Sequence, residues 1–261
     1  MATRSTAIEM IIDDEYVAGT FLAPDHKVPG VLFVHGWGGS QERDLARARG
    51  IAGLGCVCLT FDLRGHQQSS ARQQTVSRAE NLRDLTTAYD RLVSHPALDS
   101  SNIAVVGTSY GGYLATILTT RRPVKWLSLR VPSLYRDEGW ERPKRSLSRE
   151  DLAFYRRKFI SPEHNRALAA CAAFRGDVLL VESEFDHLVP HATLMSYRNA
   201  FHQSHSMTHR IIDGADHSLS SPSSQHAYTS ILQNWFTEMV VGARTGAGAM
   251  PYYERQAATQ R

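Results

Sequence analysis

This 261-residue sequence predicts an α/β architecture, a mainly parallel sheet flanked by helices. Two observations predict it. Short apolar runs such as Val31-Leu32-Phe33-Val34 and Val178-Leu179-Leu180-Val181 recur between longer amphipathic stretches. Near-continuous apolar runs mark strands buried on both faces, as in a parallel sheet covered by helices. The runs before Ser109 also end in polar or glycine-rich turns, at the strand ends where open α/β sheets bind ligands.

The elements follow in order. The run 31–34 is a strand that ends in the turn His35-Gly36-Trp37-Gly38-Gly39. Residues 42–53 read as a helix, closed by Gly53 and Gly55. Residues 56–61 form a second strand that ends in Asp62-Leu63-Arg64-Gly65-His66. A helix over 80–94 carries Leu82, Leu85, Leu92 and Val93 among charged residues. A third strand over 103–106 and a helix over 113–120 follow, then strands over 124–129, 178–181 and 209–212 and a closing helix over 225–241. Residues 132–175 break the alternation with helix-like pieces at 149–159 and 163–171, which predicts a helical cap insertion over the strand ends. Residues 1–242 then make one domain, and 243–261, Ala/Gly-rich and polar, a loose tail.

Composition narrows the function classes. The hydrophobic fraction is 42% and the formal net charge +3, without a dense basic block. Arginines and lysines between 136 and 158 alternate with Asp137, Glu138, Glu141, Glu150 and Asp151, which reads as a solvated helical face rather than a nucleic-acid surface. Cys56 and Cys58 lie two apart in an apolar run, on one face of a strand, and no Cys or His partner stands at metal spacing. Free buried thiols favour a reducing compartment, so a cytoplasmic location is expected. No apolar stretch of about 18 residues predicts a membrane span, and the N-terminus lacks the pattern of a secretory signal.

The chemistry centres on Gly107-Thr108-Ser109-Tyr110-Gly111, which follows a strand and opens a helix. Small residues two before and two after the serine permit a sharp turn that thrusts the hydroxyl outward. A serine needs a base, and His217 stands just after the last strand in Asp213-Gly214-Ala215-Asp216-His217. His187, His191, His202, His205 and His209 lack that setting. A carboxylate must hold the imidazole tautomer, and Asp186 lies beyond a strand, before Val189-Pro190. Glu184 is its nearest alternative, with Asp213 and Asp216 behind. For the developing oxyanion the candidate donors are the backbone N–H groups of Trp37 and Tyr110, while His35 is expected to brace its turn.

Five motifs in this order (the His35 turn, the Asp62 turn, the Ser109 turn, Glu184-Phe185-Asp186, and Ala215-Asp216-His217) resemble the α/β-hydrolase superfamily over about residues 28–241. Within it the chain is most similar to dienelactone-hydrolase-like and serine-aminopeptidase-like esterases. The resemblance implies a Ser109-His217-Asp186 triad, no metal or organic cofactor, and a small-molecule ester as substrate. It implies a structural loop at 62–69, where Gln67-Gln68 replace a glycine that many relatives carry, so a different loop shape is expected. A dienelactone hydrolase proper uses cysteine as nucleophile, and Ser109 speaks against that reaction. Tyr135 and Trp140 of the expected cap are candidates to line an acyl or aromatic pocket. Peptidase, thioesterase and acyltransferase readings stay open beside the esterase. Peptidases of the prolyl-oligopeptidase type usually carry a large additional N-terminal domain, whereas about 30 residues precede the first recognised strand. A non-catalytic binding protein would be expected to lack a triad member. The closing helix and a sheet edge leave a homodimer open.

Overall fold

A computed structural model describes residues 4–23 and 28–246. Its eight strands form one sheet in the order β1-β2-β4-β3-β5-β6-β7-β8. Strands β3 (Val28–Val34), β4 (Val57–Phe61), β5 (Leu98–Thr108), β6 (Trp126–Arg130), β7 (Asp177–Phe185) and β8 (Ser206–Asp216) are parallel, as expected.

The sheet begins earlier than the sequence reading placed it. β1 (Arg4–Ile12) and β2 (Glu15–Ala23) make an antiparallel hairpin, and β2 runs antiparallel to β4. The hairpin turns at Asp13 and Asp14 with φ of 49° and 64°, where Asn-Gly is the commoner pair. Met10, Ile12, Val17 and Phe21 are buried while Ile11 and Tyr16 face outward. This period-2 pattern belongs to a half-exposed strand, and a search for continuous apolar runs passes over it.

Alternation across the central strands builds two hydrophobic layers. Leu32 and Val34 face the layer that includes residues of α2 (Arg78–Val93), α3 (Tyr110–Leu118), α5 (Arg166–Ala173) and α6 (His191–Ala200). Val31 and Phe33, with Cys56 and Cys58, face α1 (Glu42–Gly53) and α7 (Pro222–Gly246). All three cysteines are buried, and none is in a disulfide. α2 starts two residues before the predicted position because Ser77 and Glu80 form a reciprocal capping box.

Between β6 and β7 the chain passes through α4 (Arg149–Arg156) and α5, with short 3₁₀ turns at Lys144–Ser146 and Pro162–His164. α5 packs against α3 and α6 as the crossover layer of this connection. α6 was not anticipated: its buried face mixes Leu194, Tyr197 and Ala200 with Thr193 and Ser196, which weakens the helical hydrophobic signal. α7 continues to Gly246, beyond the boundary expected at 242, and residues 247–261 of the expected tail lie outside the described residues. Among the described residues no helix is long and apolar enough to cross a membrane.

Candidate active site

Ser109 stands between the end of β5 and the start of α3 with φ 52° and ψ −112°, a conformation costly for a residue with a side chain. Its neighbours hold it there. The Ser109 N–H donates to the Arg130 carbonyl at 2.9 Å, and the Ser109 carbonyl accepts from Ser133 N–H at 2.9 Å and Tyr113 N–H at 3.1 Å. Gly111 lets the first turn of α3 lie directly on the end of β3. A Cβ at Gly111 would sit on the carbonyl oxygens of Val34 and His35, well inside contact distance. Gly111→Ala is therefore expected to destabilise the fold by about 3 kcal/mol, read as a lower midpoint in urea unfolding.

His217 follows β8 directly, and its Nδ1 donates to Asp186 Oδ2 at 2.6 Å. A carboxylate only accepts, so Nδ1 carries the proton and Nε2 is left with its lone pair. The Asp186 side chain is 2% exposed, and its other oxygen accepts the N–H groups of Leu188 and Val189 at 2.8 Å each. Glu184, the alternative carboxylate, points elsewhere and accepts the Gly214 N–H at 2.7 Å. Asp216 likewise turns to the Ser220 N–H. Ser109 Oγ shares a hydrogen bond of 3.0 Å with Ser133 Oγ, and among the described residues none joins it to His217. Catalytic hydrogen bonds are often long in unliganded sites and tighten around substrate.

The glycine turn after β3 is closed by Gly39 N–H donating to Gly36 O at 2.9 Å, with Gly38 at φ 77°. That left-handed third position is where glycine suits a turn of type II. Two histidines lock it to the loop after β4. His35 Nδ1 donates to Gly36 O at 2.8 Å while its Nε2 accepts the Leu63 N–H at 3.0 Å. His66 Nε2 accepts the Gly38 N–H at 2.9 Å and its Nδ1 donates to Leu63 O at 3.0 Å. Both rings are thus neutral acceptors at Nε2. Burial, with the neighbouring His66, pushes His35 down to about 3, and burial lowers His66 as well. The loop is tied down by Arg64 Nε on the buried Asp84 at 2.6 Å. Gln67 occupies the left-handed region at φ 46°.

Ser109 and His217 open on one cavity of about 490 Å³, whose wall includes Trp37, Arg43, Arg47 and Arg130. The Tyr110 N–H is in the first turn of α3 and has no intrahelical partner. Tyr135 and Trp140 are not part of this wall. The Tyr135 ring is 3% exposed and packs edge-on to Tyr110 and Tyr113, with Lys144 and Arg156 against it. Trp140 packs between Arg78 and Arg166. These two aromatics are packing groups, because the chain from Val131 onward folds toward α2 and α3 rather than toward α1. Sequence reasoning missed Ser133, Arg43, Arg47 and Arg130. The available signal was Arg43 and Arg47, four apart on the helix that follows the glycine turn, hence on one face. Among the described residues no three of His, Cys, Asp and Glu converge as a metal site.

The chain is 28% identical over 171 residues to an uncharacterized protein of Mycobacterium tuberculosis. That match covers 64% of this chain and 55% of the relative, so the chain spans about half the length of the curated relatives it matches. Among solved structures it is similar to dienelactone hydrolase from Anabaena variabilis, with TM-score 0.65, 21% identity, and 90% of this chain and 98% of that one covered. Est1E from Butyrivibrio proteoclasticus with bound ferulic acid has TM-score 0.70 and 16% identity, with 90% of this chain and all of that one (100%) covered. At such identities the likeness speaks for the fold. Residues 31–231 match the model of the alpha/beta hydrolase family, and the chain belongs to that family.

Proposed function

We propose that this protein is a serine hydrolase that cleaves carboxylic esters through an acyl-enzyme. The observation that carries the reading is the convergence on one cavity of a strained, outward-turned Ser109 and of His217, itself held by Asp186 at 2.6 Å. In the reaction Ser109 Oγ leaves Ser133 and attacks the ester carbonyl as His217 Nε2 takes its proton. The oxyanion so formed is held by the N–H groups of Trp37 and Tyr110. The tetrahedral adduct collapses, the ester C–O bond breaks, and the alcohol departs with the proton from His217. Water then gives a proton to His217 and its oxygen attacks the acyl-enzyme. Collapse frees the carboxylic acid and returns the proton to Ser109. Asp186 keeps Nδ1 protonated throughout and stabilises the imidazolium.

Similarity in fold to a dienelactone hydrolase and to Est1E with ferulic acid supports an ester as the bond cleaved. Buried cysteines held outside disulfides support a cytoplasmic setting. A fluorophosphonate probe tests the nucleophile: a single adduct is expected on the tryptic peptide that holds Ser109, and labelling that persists in Ser109→Ala overturns the assignment.

A further inference from the structure

We propose that the substrate of this site carries an anionic group, a carboxylate or a phosphate, received by Arg43 and Arg47 of α1 together with Arg130 at the end of β6. The inference rests on the hydrolase reading and names its substrate class.

The cavity beside Ser109 holds three guanidinium groups against one carboxylate, Asp44. The rest of its wall includes Thr108, Ser218, Ser220 and Gln225. Pockets for neutral ligands are mostly apolar, so this lining is unusual for one. Two of the arginines are positioned by the fold. The guanidiniums of Arg47 and Arg130 lie 4.8 and 5.5 Å from the Tyr228 ring, and Arg130 Nη1 donates to the His217 carbonyl at 3.0 Å. Arg130 is 6% exposed, and burial lowers its pKa, so the fold concentrates positive charge here at a cost.

The donors are not used up internally. Arg47 Nη1 binds the Arg43 carbonyl at 2.9 Å and lies 3.5 Å from Asp44 Oδ1, but its buried Nε has no hydrogen-bond partner among the described residues. The Arg43 side chain is exposed and forms no ion pair among the described residues. Planar forks with free donors suit a carboxylate or phosphate, which two N–H groups can grip in parallel. Because Arg130 also holds the backbone of His217, a bound anion is registered next to the base. The arginines thus orient an ester on the α1 side of Ser109, opposite to where Tyr135 and Trp140 lie.

The test compares mono-4-nitrophenyl glutarate with 4-nitrophenyl pentanoate, in the wild type and in Arg43→Gln, Arg47→Gln and the double variant. The carboxylate ester is expected to have the higher kcat/KM, with the ratio between the two esters falling about tenfold in Arg47→Gln, mostly through KM. Arg43, exposed and without an ion pair among the described residues, gives a variant whose folding is not at stake. Glutarate and inorganic phosphate are added separately to the fluorophosphonate reaction. Saturable slowing by glutarate assigns a carboxylate, and by phosphate a phosphate, as the anionic group of the ester, and either effect should need about tenfold more anion in Arg47→Gln. Labelling indifferent to both anions, with equal kcat/KM for the two esters, overturns the subsite while Ser109 labelling still stands. If Ser109 is never labelled, the hydrolase reading fails instead. Calorimetric titration of the wild type and Arg47→Gln with each anion then decides the subsite alone, since absence of binding overturns it.

Discussion

Ser109→Ala is expected to lower kcat for a 4-nitrophenyl ester by on the order of a millionfold, with the unfolding midpoint little changed. The size follows from the loss of the one hydroxyl presented by the strained turn: Ser133 Oγ is at 3.0 Å from Ser109 Oγ but lies on a different backbone segment, without the elbow that presents Ser109. Asp186→Asn should cost about ten-thousandfold, because an amide in place of the carboxylate favours the wrong tautomer of His217. Glu184→Gln is the control, since its amide oxygen can still accept the Gly214 N–H. In the proposed mechanism the three residues act as a unit, so Ser109→Ala combined with Asp186→Asn should lose no more than Ser109→Ala alone. Steady-state kinetics on the four variants reads all of this. A large loss in Glu184→Gln together with a small one in Asp186→Asn would exchange the two carboxylates.

Acid is expected to unlock the glycine turn through His35. In the folded protein this ring titrates at about 3, against about 6.5 when unfolded, because it is buried and its Nε2 is occupied by the Leu63 N–H. A depressed folded-state value means that the unfolded chain binds the proton first. The stabilisation is complete above pH 6.5 and is lost as pH falls toward 3, at about 1.4 kcal/mol per pH unit, or roughly 5 kcal/mol in all. Asp44 works in the other sense. Burial raises it to about 6, so it favours the folded state as pH falls from 6 toward its ordinary 3.8, an offset of roughly 3 kcal/mol. Comparison with His35→Gln, in which Asp44 is retained, isolates the histidine. The stability margin of the wild type over that variant should shrink by about 3 kcal/mol between pH 6.5 and pH 4 in urea unfolding. A margin constant with pH would show that His35 does not control acid stability.

Much of the site could be read from local sequence. Ser109 is recognisable because the tight turn needs small residues at fixed offsets, and His217 because it directly follows the last strand, whose end carries Gly214 and Ala215. Asp186 was harder to separate from Glu184, two residues away. The end of β7 and the turn after it present them differently: Asp186 turns inward to two backbone N–H groups and the imidazole, and Glu184 outward to Gly214. The N-terminal hairpin escaped because its alternating pattern resembles polar chain, and α6 because buried threonine and serine dilute its apolar face.

The sequence by itself determined the order of the central strands' motifs, the tight turn at Ser109 and the candidate partners His217 and Asp186, since each depends on conformation within a few residues. Tertiary structure alone decided what surrounds them. Trp140 and Tyr135 are consumed in packing with Arg78, Lys144 and Arg166, while Arg47 and Arg130, remote in sequence, meet around Tyr228 and line the cavity together with Arg43. A cavity wall is assembled from the ends of separate elements, and which ends meet is set by how helices pack on the two faces of the sheet. Periodicity shows which face of a helix is buried, but not what faces it across the site.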